Sequence, residues 1–229
     1  MNRLPADRES ATLDTMSHPT SLPDRSTWPE VRALQEIGVH FHRRGWSLGT
    51  SSNYSMVLGR DPMRLLITAS GKDKDRLTPR DFVLVDGDGR PTSAIEPKPS
   101  AETLLHTVLA RRPGVAAVLH THSVWATLLS QRHFAEGGLW IDDFEMLKGL
   151  AGVTTHEHRE WVAVFDNSQD IPALARQVER ALVDPDRPPR HAFLLRRHGL
   201  YTWGRDLDEA RRHVEILEFL LEVLGRGMS

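Results

Sequence analysis

The chain has 229 residues and a net charge of −2, enough for one large domain or two small ones, and its 39% hydrophobic and 26% charged content is that of an ordinary globular protein. A sequence pI of about 6.6 gives no basic footprint for nucleic acid, and no apolar stretch approaches the roughly 20 residues that span a bilayer. The absence of cysteine removes disulfides, thiolate catalysis and cysteine–zinc sites together.

Residues 1–26 are polar, carry Pro5, Pro19 and Pro23, and lack the apolar core of a secretory leader. They read as a disordered arm ahead of a single domain over 27–229, in a cytoplasmic protein. Thr27, Pro29 and Glu30 have the spacing of a capped helix start, and Val31, Leu34, Ile37 and Phe41 recur at helical spacing up to Gly45. A small-residue loop, 49–53, leads into an alternating strand over 54–58. Further strands are predicted over 65–68 and 82–85, the latter followed by the turn signal Asp86-Gly87-Asp88-Gly89. Short turns between these strands predict antiparallel pairing. The second half alternates: helix 101–111, strand 115–119, short helix 124–129, strand 161–165, helix 171–183, strands 192–195 and 200–203, and a closing helix 207–224 capped by Asp206. The pattern predicts an α/β fold of three layers, α/β/α, around a mostly antiparallel sheet. It lacks the regular βαβ alternation of a Rossmann fold or a (β/α)₈ barrel.

Among 12 histidines the spacing His-x-His occurs three times, so context must separate the pairs. His40 and His42 fall in a helical pattern, where positions i and i+2 diverge by about 200°. His156 and His158 lie in a polar stretch with no strand leading in, and read as solvated loop residues. His120 and His122 end an apolar strand, where alternate side chains point the same way. They present two imidazoles to one point, half of a divalent-metal site. His198, beside Gly199 at the end of another apolar strand, is a candidate third ligand, and three protein ligands leave a coordination position open.

The loops 49–53 and 68–71 offer hydroxyls, an Asn amide and Gly backbone N–H groups, which suit either an anion nest or a plain turn. Gly71-Lys72 lacks the remaining elements of a P-loop. Two acids are candidates for proton transfer. Glu102 lies in the first turn of a predicted helix. Glu145 is flanked by Phe144, Met146 and Leu147, which would desolvate it and raise its pKa.

Taken in order, GTSSNYS (49–55), ITASG (67–71), KPSAETLLH (98–106), VLHTHS (118–123) and RRHGLYTWG (196–204) resemble the class II aldolase/adducin family. The resemblance implies the same three-layer fold and one Zn²⁺ per subunit on His120, His122 and His198. It also implies a phosphate pocket at Ser52, Asn53, Ser70, Gly71 and Ser100, and a homotetramer with sites near subunit interfaces. Within the family, FEMLKGL (144–150) is similar to the methionine-salvage dehydratases. These eliminate water from a small-molecule 1-phospho-ketose with a methylthio tail. The resemblance assigns acid–base chemistry to Glu145, with Glu102 assisting. The alternative it leaves is a sugar-phosphate aldolase or 4-epimerase. No nucleic acid or membrane partner is implied.

Overall fold

The computed structural model describes residues 24–227. The expected arm lies outside the described residues apart from its last three. Of these Arg25 is buried, donating to the Phe82 carbonyl at 2.6 Å and pairing with Glu96. The packed part of the chain thus reaches into the segment assigned to the arm.

Helix α1 (Pro29–Arg43) starts on a proline, whose fixed φ and missing N–H suit the first turn. Trp28 occupies the cap position and no side chain caps the helix, so the capping box expected at Thr27 does not form. Strands β1 (Asn53–Arg60), β2 (Met63–Thr68) and β3 (Phe82–Asp86) form an antiparallel meander. Helix α2 (Thr103–Ala110) is shorter than expected, because Glu102 sits at its cap with φ −94° and ψ 13°. Next come β4 (Ala117–Thr121), α3 (Val124–Arg132) and β5 (Gly138–Ile141). The remaining elements are β6 (Glu160–Phe165), α4 (Ile171–Ala181), β7 (Ala192–Leu195), β8 (Gly199–Gly204) and α5 (Leu207–Gly227). The sequence reading missed β5, a four-residue edge strand held only by pairing with β6.

The eight strands form one sheet in the order β3-β2-β1-β4-β8-β7-β6-β5. Every neighbouring pair is antiparallel except β6 and β7. Side-chain alternation divides the core. Val118, Phe193, Tyr201 and Trp203 face α2 and α4, whereas Leu119, Leu194 and Leu200 face α1, α3 and α5. This is the three-layer α/β/α arrangement. Among the described residues no helix is long and apolar enough to cross a membrane.

One carboxylate lies inside the second layer. Glu218 of α5 is buried, accepts from the Thr121 hydroxyl at 2.8 Å through Oε1, and leaves Oε2 without a partner. Burial pushes its pKa up to about 7 from an ordinary 4.5, against the pull of the nearby Ser123 and Thr121 hydroxyls. A carboxyl raised in the fold is protonated in both states at low pH. It then destabilises the fold progressively as pH rises from the unfolded value to the folded one. Glu218→Gln removes that ionisation and should stabilise the protein by roughly 2 kcal/mol more at pH 8 than at pH 5. Denaturant melts at the two pH values check this, and an equal change at both would contradict it.

Candidate active site

The sheet places β4 between β1 and β8, both antiparallel to it, so the C-terminal end of β4 meets the N-terminal ends of its neighbours. His120 pairs across with Asn53 on one side and Tyr201 on the other. His122 leaves the strand with its N–H on the Trp46 carbonyl at 2.8 Å. His198 ends the β7–β8 turn, in which Arg197 takes a left-handed φ of 54°. Gly199 is required where it stands: a Cβ would lie 2.0 Å from the Thr121 carbonyl oxygen and 3.0 Å from the His120 ring. Gly199→Ala should therefore cost about 2 kcal/mol or more in a denaturant melt. It should also lower the metal retained by the purified protein.

The three Nε2 atoms converge. His120 and His122 are 2.8 Å apart, His122 and His198 3.0 Å, and His120 and His198 3.4 Å. His120 is fully buried, stacked on Tyr201 with ring centroids 4.0 Å apart. Its Nδ1 donates to the Leu200 carbonyl at 2.9 Å, which leaves Nε2 as a lone pair in the neutral ring. Burial, then the neighbouring imidazoles, hold His120 well below the ordinary range, and the same causes bring His122 to about 3. Three imidazoles whose Nε2 atoms lie within 3.4 Å of one another, with the His120 lone pair directed inward, fit a divalent cation.

Glu102 stands beside this cluster, its oxygens 3.5 Å from His120 Nε2 and 3.4 Å from His198 Nε2. A buried chain aims it. Asn53 donates through Nδ2 to Glu102 at 2.8 Å and to Ser100 at 3.1 Å. The Asn53 side-chain Oδ1 accepts from His106 Nε2, and His106 Nδ1 accepts from the Ser55 hydroxyl at 2.8 Å. Burial holds His106 down to about 3, so it is neutral and the chain runs one way, from Ser55 to Glu102. Burial, reinforced by Glu102, pushes the Tyr201 phenol well above its ordinary range.

Next to the cluster opens a cavity of about 440 Å³, lined by Ser52, Asn53, Ser70, Gly71, Ser100 and Glu102 together with His122 and His198. Two contacts gather the loops: Ala69 bridges to Pro99, and the Ser70 N–H reaches the Lys98 carbonyl at 3.0 Å. Ser52 adopts φ 70° and Gly71 φ 70°. That conformation is unusual for a serine, and turns of this kind aim backbone N–H groups inward.

Glu145 is not in this group. It starts a short 3₁₀ turn, Glu145–Gly149, with a side chain 73% exposed and paired with Lys148. The expected desolvation does not occur in the single chain, because Leu147 is the residue that turns into the core. The other His-x-His pairs make no metal site. His40 bonds Glu215 at 2.7 Å and His42 the Ser47 carbonyl at 3.2 Å. His156 is exposed, but His158 is not simply solvated, since it holds the buried Glu160 at 2.8 Å. Sequence reasoning missed His106, Ser55 and Tyr201, and also Asn167, Ser168 and Gln169, which wall the cavity after β6. The last three follow the end of a predicted strand and precede a helix, a position that could have marked them.

Residues 32–224 match the class II aldolase and adducin N-terminal domain family, and the chain belongs to it. Among its relatives is the methylthioribulose-1-phosphate dehydratase of Methylococcus capsulatus, 48% identical over 200 residues, covering 86% of this chain and 94% of that one. The Sorangium cellulosum enzyme of the same name is 43% identical over 199 residues, covering 86% and 92%. Of solved structures, L-fuculose-1-phosphate aldolase from Thermus thermophilus superimposes with a TM-score of 0.66 at 28% identity, covering 84% of this chain and 92% of that one.

Proposed function

We propose that the protein is a metal-dependent hydro-lyase that converts 5-methylthioribulose 1-phosphate to 5-methylthio-2,3-dioxopentyl phosphate and water. The observation that carries this reading is the adjacency of a convergent three-histidine cluster, a carboxylate and a loop-lined cavity. The relatives named as this dehydratase support it over nearly their whole length.

His120, His122 and His198 would hold the metal, which we assign as Zn²⁺; when bound it supplies Lewis-acid polarisation to a substrate oxygen. Ser52, Asn53, Ser70, Gly71 and Ser100 receive the phosphoryl group and fix the ketose against the cluster. The reaction removes the proton at C3, expels the C4 hydroxyl as water after it gains a proton, and ends in tautomerisation of the enol to the diketone. No electrons are exchanged with a cofactor. Glu102, aimed by Asn53, is the carboxylate placed to move these protons within one subunit. Glu145 takes part only if a second copy of the chain carries it to the cavity, as a homotetramer with sites at its interfaces would.

The test is to incubate metal-loaded protein with 5-methylthioribulose 1-phosphate and with its dephosphorylated form. The proposal predicts diketone formation from the first and at least a hundredfold slower reaction of the second. Release of dihydroxyacetone phosphate instead would favour an aldolase.

A further inference from the structure

The cavity has a charge problem. A phosphate monoester carries close to two negative charges at neutral pH, yet among the described residues no lysine or arginine lines the cavity. Neutral donors alone leave buried anionic charge poorly compensated.

The missing charge is adjacent. Lys74 follows the second small-residue loop, and the residue is only 1% exposed. Its ammonium donates to the Lys72 carbonyl at 2.6 Å and reaches the Thr50 carbonyl at 3.5 Å. It therefore sits between the two loops that line the cavity, holding a carbonyl of loop 49–53 and the carbonyl just past loop 68–71. Among the described residues no carboxylate lies in ion-pair contact with it; Asp81, close by, pairs with Lys72 at 2.8 Å. The backbone at Lys74 is also pinned. Gly38 of α1 presses on the Lys74 carbonyl, where a Cβ would lie 2.1 Å from the oxygen. The side chain thus starts from a fixed point. In loop 49–53 the Ser51 hydroxyl is buried without a partner.

We propose that Lys74 is the counter-charge for the substrate phosphoryl group, a specificity-determining residue set beneath both loops rather than on the cavity wall. The inference rests on the phosphorylated-ketose reading and deepens it. Burial lowers the ammonium to about 8, partly offset by Asp73 and Asp81, so it stays charged at neutral pH. A monoanionic or neutral sugar gains less from such a group than a phosphate ester does.

The experiment uses the metal-loaded protein and inorganic phosphate as the probe, measured by calorimetry, alongside turnover of the phosphorylated ketose. Lys74→Met and Lys74→Gln should each weaken phosphate binding by at least about tenfold and raise KM to match, with metal content and kcat nearly kept. The Gln variant retains a donor for the two carbonyls but not the charge. If it binds phosphate as tightly as the parent, Lys74 is only a brace and the proposal fails. Should neither neutral variant fold, Lys74→Arg decides: it keeps the charge and should keep phosphate binding within about threefold, and a larger loss in a folded, metal-loaded protein overturns the idea. Phosphate binding is read without turnover, so failure of the ketose assay alone would count against the proposed activity and not against Lys74.

Discussion

His122→Ala should yield a folded protein that retains divalent metal at least about a hundredfold more weakly and dehydrates its substrate at least a thousandfold more slowly. The size follows from losing a ligand outright, since disturbing even the outer partner of a ligand costs about 10–100-fold in affinity or activity. The choice of His122 over His120 follows from packing. His120 is wholly buried, stacked on Tyr201 and bonded to Leu200, so truncating it opens a hole in the sheet's centre. His122 lies past the strand end and is only partly buried. His42→Ala is the matched control, because His42 has the same His-x-His spacing but bonds Ser47 in place of joining a cluster. Metal analysis of the two purified variants checks the contrast. Equal metal content in both would contradict the three-histidine assignment.

Glu102→Gln should lower kcat by roughly 10²–10⁴-fold, the range for losing a positioned acid–base group. Its amide can still meet Asn53, and the three imidazoles are untouched, so metal content should stay at the parent level. If a second copy of the chain carries Glu145 to the cavity, Glu145→Gln should also stop water elimination with metal still bound. Glu145 is exposed and apart from the cavity of its own chain. If it acts across an interface, oligomers mixed from Glu145→Gln and His122→Ala chains should recover activity that neither variant has alone. A Glu145→Gln protein with near-normal turnover would leave Glu102 as the proton-handling group.

Much of the site was legible because local pattern and chemistry coincide there. An apolar strand ending in His-Thr-His must point both imidazoles one way, and the structure brings them within 2.8 Å. His198 was marked by the apolar run before it and the glycine after it, and Gly199 proves to be needed for close approach to Thr121. The small-residue loops were visible, though only the sheet brings 49–53, 68–71 and 98–100 to one cavity. His106 was not legible. It looks like one more residue in an apolar helix, and its partners Ser55 and Asn53 lie some fifty positions back on β1. Lys74 was hidden for the same reason, since a lysine in a polar stretch gives no sign of being buried between two loops. Edge strand β5 depends on β6 for its existence, and the exposure of Glu145 depends on which residue of its turn faces inward. Both are decided by tertiary packing that no local window contains.

The most direct test is the identity of the product formed by the metal-loaded protein from 5-methylthioribulose 1-phosphate, read by mass spectrometry and phosphorus NMR. The account predicts one phosphorylated product that keeps every carbon and the methylthio group and has lost one water, with formation abolished by chelation and restored by Zn²⁺. Dihydroxyacetone phosphate with a methylthio aldehyde, or an isomer of unchanged mass, would contradict it.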